Sequence, residues 1–280
     1  MNTLVDIVAD MHCHTTCSDG LLSPSRLMEK AEAVGLQAIS ITDHDTLAAY
    51  DVLRMEGYNG PVKLISGIEV SCTEDRRDIH ILGYYVDHKN QTLRAYIDFF
   101  KTDRERRARE MVERLQKLRI DISFDEVLDH AGSAPIGRPH VAAVMVQRGF
   151  SKNLQNAFDV YLDTGKPAFV SKAPYSVKMA TDMIHGAGGI AVIAHPGKTY
   201  HDPRLFLGLR TSGIDGVEVY HPSHWYVTRE YYKALALQHG LLITGGSDYH
   251  GSREYDERNL GVFGVTQEHL NAIQEKLHAS

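Results

Sequence analysis

Sixteen histidines stand in this 280-residue chain, and many of them sit beside carboxylates. The first cluster is Asp10-Met11-His12-Cys13-His14. On a strand, side chains two apart point the same way, so His12 and His14 share a face as a metal-binding pair requires. Further along come Thr42-Asp43-His44-Asp45, Glu69, His80, His195-Pro196 and Ser247-Asp248-Tyr249-His250, the last with a second i, i+2 pair. Imidazole and carboxylate are the donors that bind divalent cations, and imidazole also titrates near neutral pH. Taken singly, each residue has a plain explanation: His195 is a loop histidine before proline, Asp19-Gly20 a turn, Asp43 or Asp45 a helix cap. Taken together, so many polar groups at strand ends would be prohibitively costly to bury without cations. Metal binding is therefore expected. Cys13 and Cys17 suggest a zinc pair, but Cys13 alternates away from His12 and His14, which favours packing.

These residues need a scaffold that presents one end of a sheet. Short apolar runs read as strands over Ile7–His12, Ala38–Thr42, Leu64–Val70, Ile79–Tyr84, Ile190–Ala194, Gly216–Tyr220 and Leu241–Gly245. Between them lie helical stretches: Ser23-Pro24 to Gly35, Ala48–Met55, Val177–His185 and Val227–His239. From Thr92 to about Gly165 the pattern is helical only, with a long charged helix over Leu93–Leu118 and short ones near Phe124, Val141 and Leu154. The expected fold is α/β, a seven-stranded barrel over residues 1–91 and 166–280, with a helical domain inserted at 92–165. The polar clusters recur at one end of the strands, and in a (β/α) barrel that end carries the active site.

Composition narrows the function classes. With 43% apolar and 24% charged residues the chain can bury one substantial core. The formal charge of -6, from 30 Lys+Arg against 36 Asp+Glu, argues against a generic coat for polyanions or duplex DNA. The start, Met1-Asn2-Thr3-Leu4-Val5-Asp6, lacks a basic leader, and no apolar run is long enough to span a membrane, so a cytoplasmic protein with no membrane partner is expected. Three cysteines, Cys13, Cys17 and Cys72, are expected to be reduced. Lys101 to Arg119 holds eight basic and four acidic residues. A solvated helix face explains that excess better than an RNA track, because no aromatic residues interleave.

Asp10-x-His12-x-His14, Ser18-Asp19-Gly20, Ile41-Thr42-Asp43-His44-Asp45, Gly67-x-Glu69, Ile79-His80-Ile81-Leu82-Gly83, Ala194-His195-Pro196 and Ser247-Asp248-x-His250 together resemble the PHP (polymerase and histidinol phosphatase) superfamily. The resemblance runs along essentially the whole chain in the right order. The Ser-Asp-Gly step, Gly137-Arg138-Pro139-His140 and Glu218-Val219-Tyr220-His221-Pro222-Ser223-His224 resemble its branch of stand-alone nucleotide phosphoesterases. That branch includes 3',5'-nucleoside bisphosphate phosphatases and a 5'-to-3' exoribonuclease. The resemblance implies a distorted (β/α)7 barrel and a trinuclear metal site. A first ion would take His12, His14, Asp248 and the bridging Glu69; a second, Glu69, His80 and His195; a third, Asp19, His44 and His250. Manganese or iron is expected, with zinc as a further option, because mixed oxygen and imidazole ligation does not select strongly for zinc.

Three divalent ions bring +6 and the carboxylates Asp19, Glu69 and Asp248 return -3, a surplus suited to a phosphate dianion. Water activated between the metals is the expected nucleophile, with Glu69 and Asp248 as catalytic ligands, so neither a serine nor a cysteine nucleophile is needed. Arg138 and His140, in a turn set by Gly137 and Pro139, read by themselves as an ordinary polar loop; the resemblance implies that they are phosphate ligands, Arg138 gripping two oxygens. Lys172 and Arg253 are weaker candidates for substrate binding, and His224 is a candidate to bind substrate or protonate the leaving group. Asp10, Asp43 and Asp45 are expected to orient ligand histidines. The leading function is removal of the 3'-phosphate from nucleoside 3',5'-bisphosphates. Its rivals are 5'-to-3' exoribonuclease action on short oligoribonucleotides and, from another class, a non-catalytic metal-dependent binding or accessory module. A histidinol-phosphate phosphatase fits less well because the insertion and the Ser-Asp-Gly step follow the nucleotide branch.

Overall fold

Apolar runs rich in Ile, Val and Ala form the seven strands: β1 (Ala9–Cys13), β2 (Ala38–Ile41), β3 (Lys63–Glu74), β4 (Arg77–Tyr84), β5 (Ile190–Ile193), β6 (Gly216–Tyr220) and β7 (Leu242–Gly245). In the computed structural model, which describes residues 6–75, 77–132, 134–199, 206, 208–252 and 255–279, they pair in chain order as one sheet. The pairs β1–β2, β2–β3, β5–β6 and β6–β7 are parallel, whereas β4 runs antiparallel to both β3 and β5. Beyond β7, the carbonyl of Tyr249 accepts from His14 N–H at 2.8 Å, which brings the last edge to the first and nearly closes a barrel. The fold is α/β, as the sequence indicates, but one strand is reversed. That reversal carries His80, on the N-terminal half of β4 opposite Ser71, to the end of the sheet where the parallel strands finish.

Helices cover the barrel wall. In α1 (Pro24–Ala33) the Ser23 hydroxyl accepts from Arg26 N–H, Pro24 fits the first turn, and Gly35 at φ 81° ends the run. Its buried Leu27 and Met28 pack with Ile39, Ile41, Leu53 and Cys13, where helix α2 (Ala48–Met55) also contributes. Burying each such aliphatic side chain favours folding by about 1.5–3 kcal/mol. A second cluster, with Met11, Leu82, Tyr84 and Val192, fills the barrel.

The chain divides into two compact units, the barrel unit (Met1–Arg94 with Tyr175–Ser280) and a helical unit (Ala95–Pro174). The helical unit starts within α3 (Gln91–Lys117) and contains α4 (Phe124–Ala131), α5 (Arg138–Gln147) and α6 (Leu154–Ala157), which runs into a π-helical turn at Phe158–Leu162. Met111, Leu115, Val127, Val141, Met145 and Leu162 form its core. Much of the basic excess of α3 is structural. Arg106 donates to Ser171 O and Arg107 to Val170 O, both at 3.3 Å, Arg114 donates to Phe169 O, and Asp103 accepts from Ala173 N–H at 3.1 Å. These bonds bind the returning segment up to Pro174 to the helical unit.

After it come α7 (Val177–Gly186), α8 (Pro196–Thr199), α9 (Tyr226–His239), α10 (Asp256–Asn259) and α11 (Gln267–Ala279). No described helix is long and apolar enough to cross a membrane.

Candidate metal centre

The strand ends converge on one carboxylate. Glu69, in the middle of β3 and 1% exposed, points its Oε2 at His12 Nε2 (3.2 Å), His14 Nε2 (3.1 Å) and His44 Nδ1 (3.2 Å). Its Oε1 faces His80 Nδ1 (2.7 Å) and His195 Nε2 (3.2 Å). Asp248, the third residue after β7, brings Oδ1 to 3.5 Å from His12 and 3.3 Å from His14. Asp19, in the turn after β1, lies 3.4 Å from His250 Nε2, 3.8 Å from His14 Nδ1 and 3.9 Å from His44 Nε2. All nine residues taken from the sequence as ligand candidates therefore meet in one place. Their donor atoms fall into overlapping groups: His14, Asp19, His44 and His250; His12, Glu69 and His195; His12, His14 and Asp248; His44, Glu69 and His80.

The donor set fits cations better than it fits itself. Both ring nitrogens of His14, and Nδ1 of His44, His80 and His195, are buried without a hydrogen-bond partner although carboxylates stand close by. A buried polar atom left unpaired costs about 1–3 kcal/mol, so several in one cavity mark a site built for a ligand. Burial opposes ionisation of Glu69 and Asp248, yet surrounding imidazoles outweigh it, His44, His80 and His12 for Glu69 and His250 foremost for Asp248, and hold both well below the carboxylate range. Asp19 is held low in the same way by His44 and His250. Burial pushes His44 down to about 3 and His195 down to about 4. At His14, burial is overcome by Asp248 and Glu69, which lift it to about 10. Protons and divalent cations thus compete there, because ligation requires a neutral ring. The backbone is also held off its preferred geometry: His195, Asp248 and Asp45 have φ of 29°, 51° and 54°. Such left-handed conformations at non-glycine residues are strained and concentrate at functional sites.

Two contributors are not singled out as site residues by the sequence. Glu218 of β6, fully buried, accepts from His12 Nδ1 at 2.9 Å and from His195 N–H at 2.7 Å. His221 Nε2 lies 3.4 Å from Asp248 Oδ2 and is another buried nitrogen without a hydrogen bond. A carboxylate inside an apolar strand was the available signal for Glu218. The three aspartates expected to orient ligand rings bond chiefly to backbone and hydroxyls. Asp10 accepts from His12 and Ser247 N–H, Asp43 from Thr15 and Ser18, and Asp45 from Ser71 N–H. They shape the loops, while Glu218 orients the imidazole. Cys13 and Cys17 are buried in the α1 core, and Cys13 approaches Ser247 at 3.8 Å.

The remaining candidates have partners of their own. His224 is buried, its Nδ1 donates to Val219 O (2.9 Å) and its Nε2 accepts from Gly197 N–H (3.0 Å). With both ring nitrogens engaged by backbone, it buckles the β6 loop to the turn after His195, and the catalytic role expected of it is not supported. Arg138, His140 and Lys172 belong to the helical unit. The expected turn at Gly137 is a helix start: Gly137 caps α5, and its N–H donates to His140 Nδ1 at 3.0 Å. Arg138 lies 3.8 Å from Asp163 and 6.0 Å from the Phe158 ring. Lys172 is half-buried. Arg253 lies outside the described residues.

Comparison with known proteins agrees with this centre. The PHP domain family profile matches residues 10–122. A 5'-3' exoribonuclease of Haemophilus influenzae is 35% identical over 247 residues, 86% of this chain and 89% of that protein. A 3',5'-nucleoside bisphosphate phosphatase of Chromobacterium violaceum is 32% identical over 252 residues, 88% of each chain. Among solved structures, a protein of Bifidobacterium adolescentis described as a metal-dependent phosphoesterase superposes with a TM-score of 0.83 at 30% identity, over 96% of each chain. Identity of this level along nearly the full length, with a matching fold and a carboxylate–imidazole centre at the strand ends, makes the chain a member of the PHP family and a metal-dependent phosphoesterase.

Proposed function

We propose that the centre holds three divalent cations and removes the 3'-phosphate of nucleoside 3',5'-bisphosphates. His12, His14, Asp248 and Glu69 would hold one ion, Glu69, His80 and His195 a second, and Asp19, His44 and His250 a third. Manganese or iron with some zinc suits this mixed donor set. The observation that carries the reading is Glu69, one carboxylate whose two oxygens face separate sets of imidazoles, as a bridging ligand must. When bound, the cations make water acidic enough to attack at neutral pH and neutralise charge on the phosphate. The chain's own groups prepare for this. His12 donates through Nδ1 to Glu218, which leaves Nε2 as the nitrogen that faces the centre. Lys198 Nζ, 3.9 Å from Asp248 Oδ2, would add a positive charge at the edge of the centre. A cytoplasmic setting suits the three buried thiols.

The name of the Chromobacterium violaceum relative supports the bisphosphate substrate, while the 35% identity to an exoribonuclease favours 5'-to-3' degradation of short oligoribonucleotides as a second reading. One assay ranks them. Manganese-loaded protein is given nucleoside 3',5'-bisphosphates, cyclic nucleotides and 5'-phosphorylated oligoribonucleotides, and products are resolved. Release of inorganic phosphate from the bisphosphate at the highest kcat/KM is expected; mononucleotides from the oligomer at a higher kcat/KM would displace this reading.

Arg138 and His140 are proposed to recognise the phosphate that does not react. Arg138→Ala should then cost about ten- to hundredfold on bisphosphates, the worth of a charge-assisted hydrogen bond, and far less on a small aryl phosphate. Equal losses on both substrates would count against that role.

A further inference from the structure

A cleft of about 560 Å³ opens beside the metal centre, within the size range of small-molecule sites. His221 and Asp248 of the centre line it, together with Lys198, so part of its wall is ionic. Another part is different in kind: Tyr255, Asn259 and Phe263 supply two aromatic rings and an amide. Tyr255 is 44% exposed, and the Asn259 side-chain amide has no hydrogen-bond partner among the described residues. Neither is explained by packing.

This wall is tied firmly to the centre. The buried Asp256 carboxylate of α10 accepts from His250 N–H at 3.3 Å and Ser252 N–H at 3.1 Å. The Tyr249 hydroxyl donates to Glu257 at 2.8 Å, and Phe263 N–H donates to Asn259 O at 3.1 Å. Tyr255 and Asn259, at the two ends of that short helix, are therefore held in fixed relation to the residues that carry His250 and Asp248.

We propose that this cleft is the nucleoside subsite, with Tyr255 and Phe263 supplying stacking surface for the base and Asn259 a hydrogen bond to its polar edge. The inference rests on the nucleotide reading given above and adds where the leaving nucleoside goes. Phosphate at the ionic wall and base at the aromatic wall match the two halves of a nucleotide, whereas a small alkyl phosphate would leave the second wall unused. Stacking is sequence-tolerant because every base has a π-face, and the amide supplies the discrimination among bases.

The test compares a base-bearing ligand with its abasic counterpart on the metal-loaded enzyme. Hydrolysis is measured with adenosine 3',5'-bisphosphate and ribose 3,5-bisphosphate, and binding with adenosine 5'-monophosphate and ribose 5-phosphate by calorimetry. The preference for the base-bearing ligand should fall about five- to hundredfold in Tyr255→Ala, in KM and Kd more than in kcat, and Tyr255→Phe should restore it. Asn259→Ala should flatten differences among the four bases. If Tyr255→Ala lowers both ligands equally, or leaves the preference intact, the subsite is overturned while the phosphoesterase assignment stands. If nucleotides bind with the expected preference but the wild-type enzyme hydrolyses neither ester, the subsite is upheld and the bisphosphate reading fails.

Discussion

Glu69 has five imidazoles around two oxygens, so its charge matters more than its size. Glu69→Gln keeps the volume and removes the charge. We expect turnover at saturating metal to fall by about a hundredfold or more with an unchanged circular dichroism spectrum; near-normal turnover would remove Glu69 from the chemistry. Glu218 acts one bond further out, through His12 Nδ1 and the His195 backbone. Glu218→Gln should weaken metal affinity by about 10–100-fold, read by competition with a chelator, and excess metal should recover much of the activity. Activity that stays lost at any metal concentration would give Glu218 a different role. At this scale the sequence was informative where donors alternate with hydrophobic residues. His12 and His14 converge on Glu69 while Cys13 turns into the core beside Leu27 and Ile39, as period-two alternation requires. Glu218 stands in a motif of the sequence but carries no evident role there, because Val217 and Val219 flank it and an apolar strand hides a polar inward residue until its partner is known. His224 misled for the opposite reason: its neighbourhood resembles a site, but backbone groups occupy both its nitrogens.

Among the elements, β7 closes against β1 at a point with no room for a side chain. A Cβ on Gly246 would stand 2.4 Å from both N and Cβ of His12. Gly246→Ala should therefore destabilise the barrel by at least about 1–3 kcal/mol, seen as a lower midpoint in thermal denaturation. Gly186, at the end of α7, has nothing within 4 Å of its built Cβ. Gly186→Ala should be neutral or stabilise by up to about 1 kcal/mol through the unfolded chain. The reverse ranking of the two variants would refute this account of barrel closure. Element positions were largely legible, since strands and helices follow the two hydrophobic periods. The direction of β4 was less so. The gap between the third and fourth apolar runs is too short for a parallel crossover of a dozen or more residues, and that gap length was the readable sign of a hairpin. The start of α5 is ambiguous in the sequence because Gly137 and Pro139 favour turns and helix N-termini alike.

For the molecule as a whole, chelation is the widest perturbation, since it leaves buried carboxylates and imidazoles to face one another without cations. Metal removal should lower the thermal midpoint by several degrees, and the loss should be reversed by adding manganese. An identical midpoint with and without chelator would mean that the fold does not depend on its centre. The order of events within that loss follows from β4 and β5. These strands pair directly, Tyr84 opposite Ile190, yet the chain between them wanders through roughly a hundred residues before returning. Closing such a loop costs about 3 kcal/mol more in chain entropy than closing a tight hairpin of a few residues. His80 and His195, one from each side of that seam, meet on the same oxygen of Glu69. An ion held there would act as a stitch across the longest detour in the barrel, so that on chelation the amides of Ile81 to Tyr84 and Ile190 to Ile193 should exchange with deuterium before those of β1 and β2.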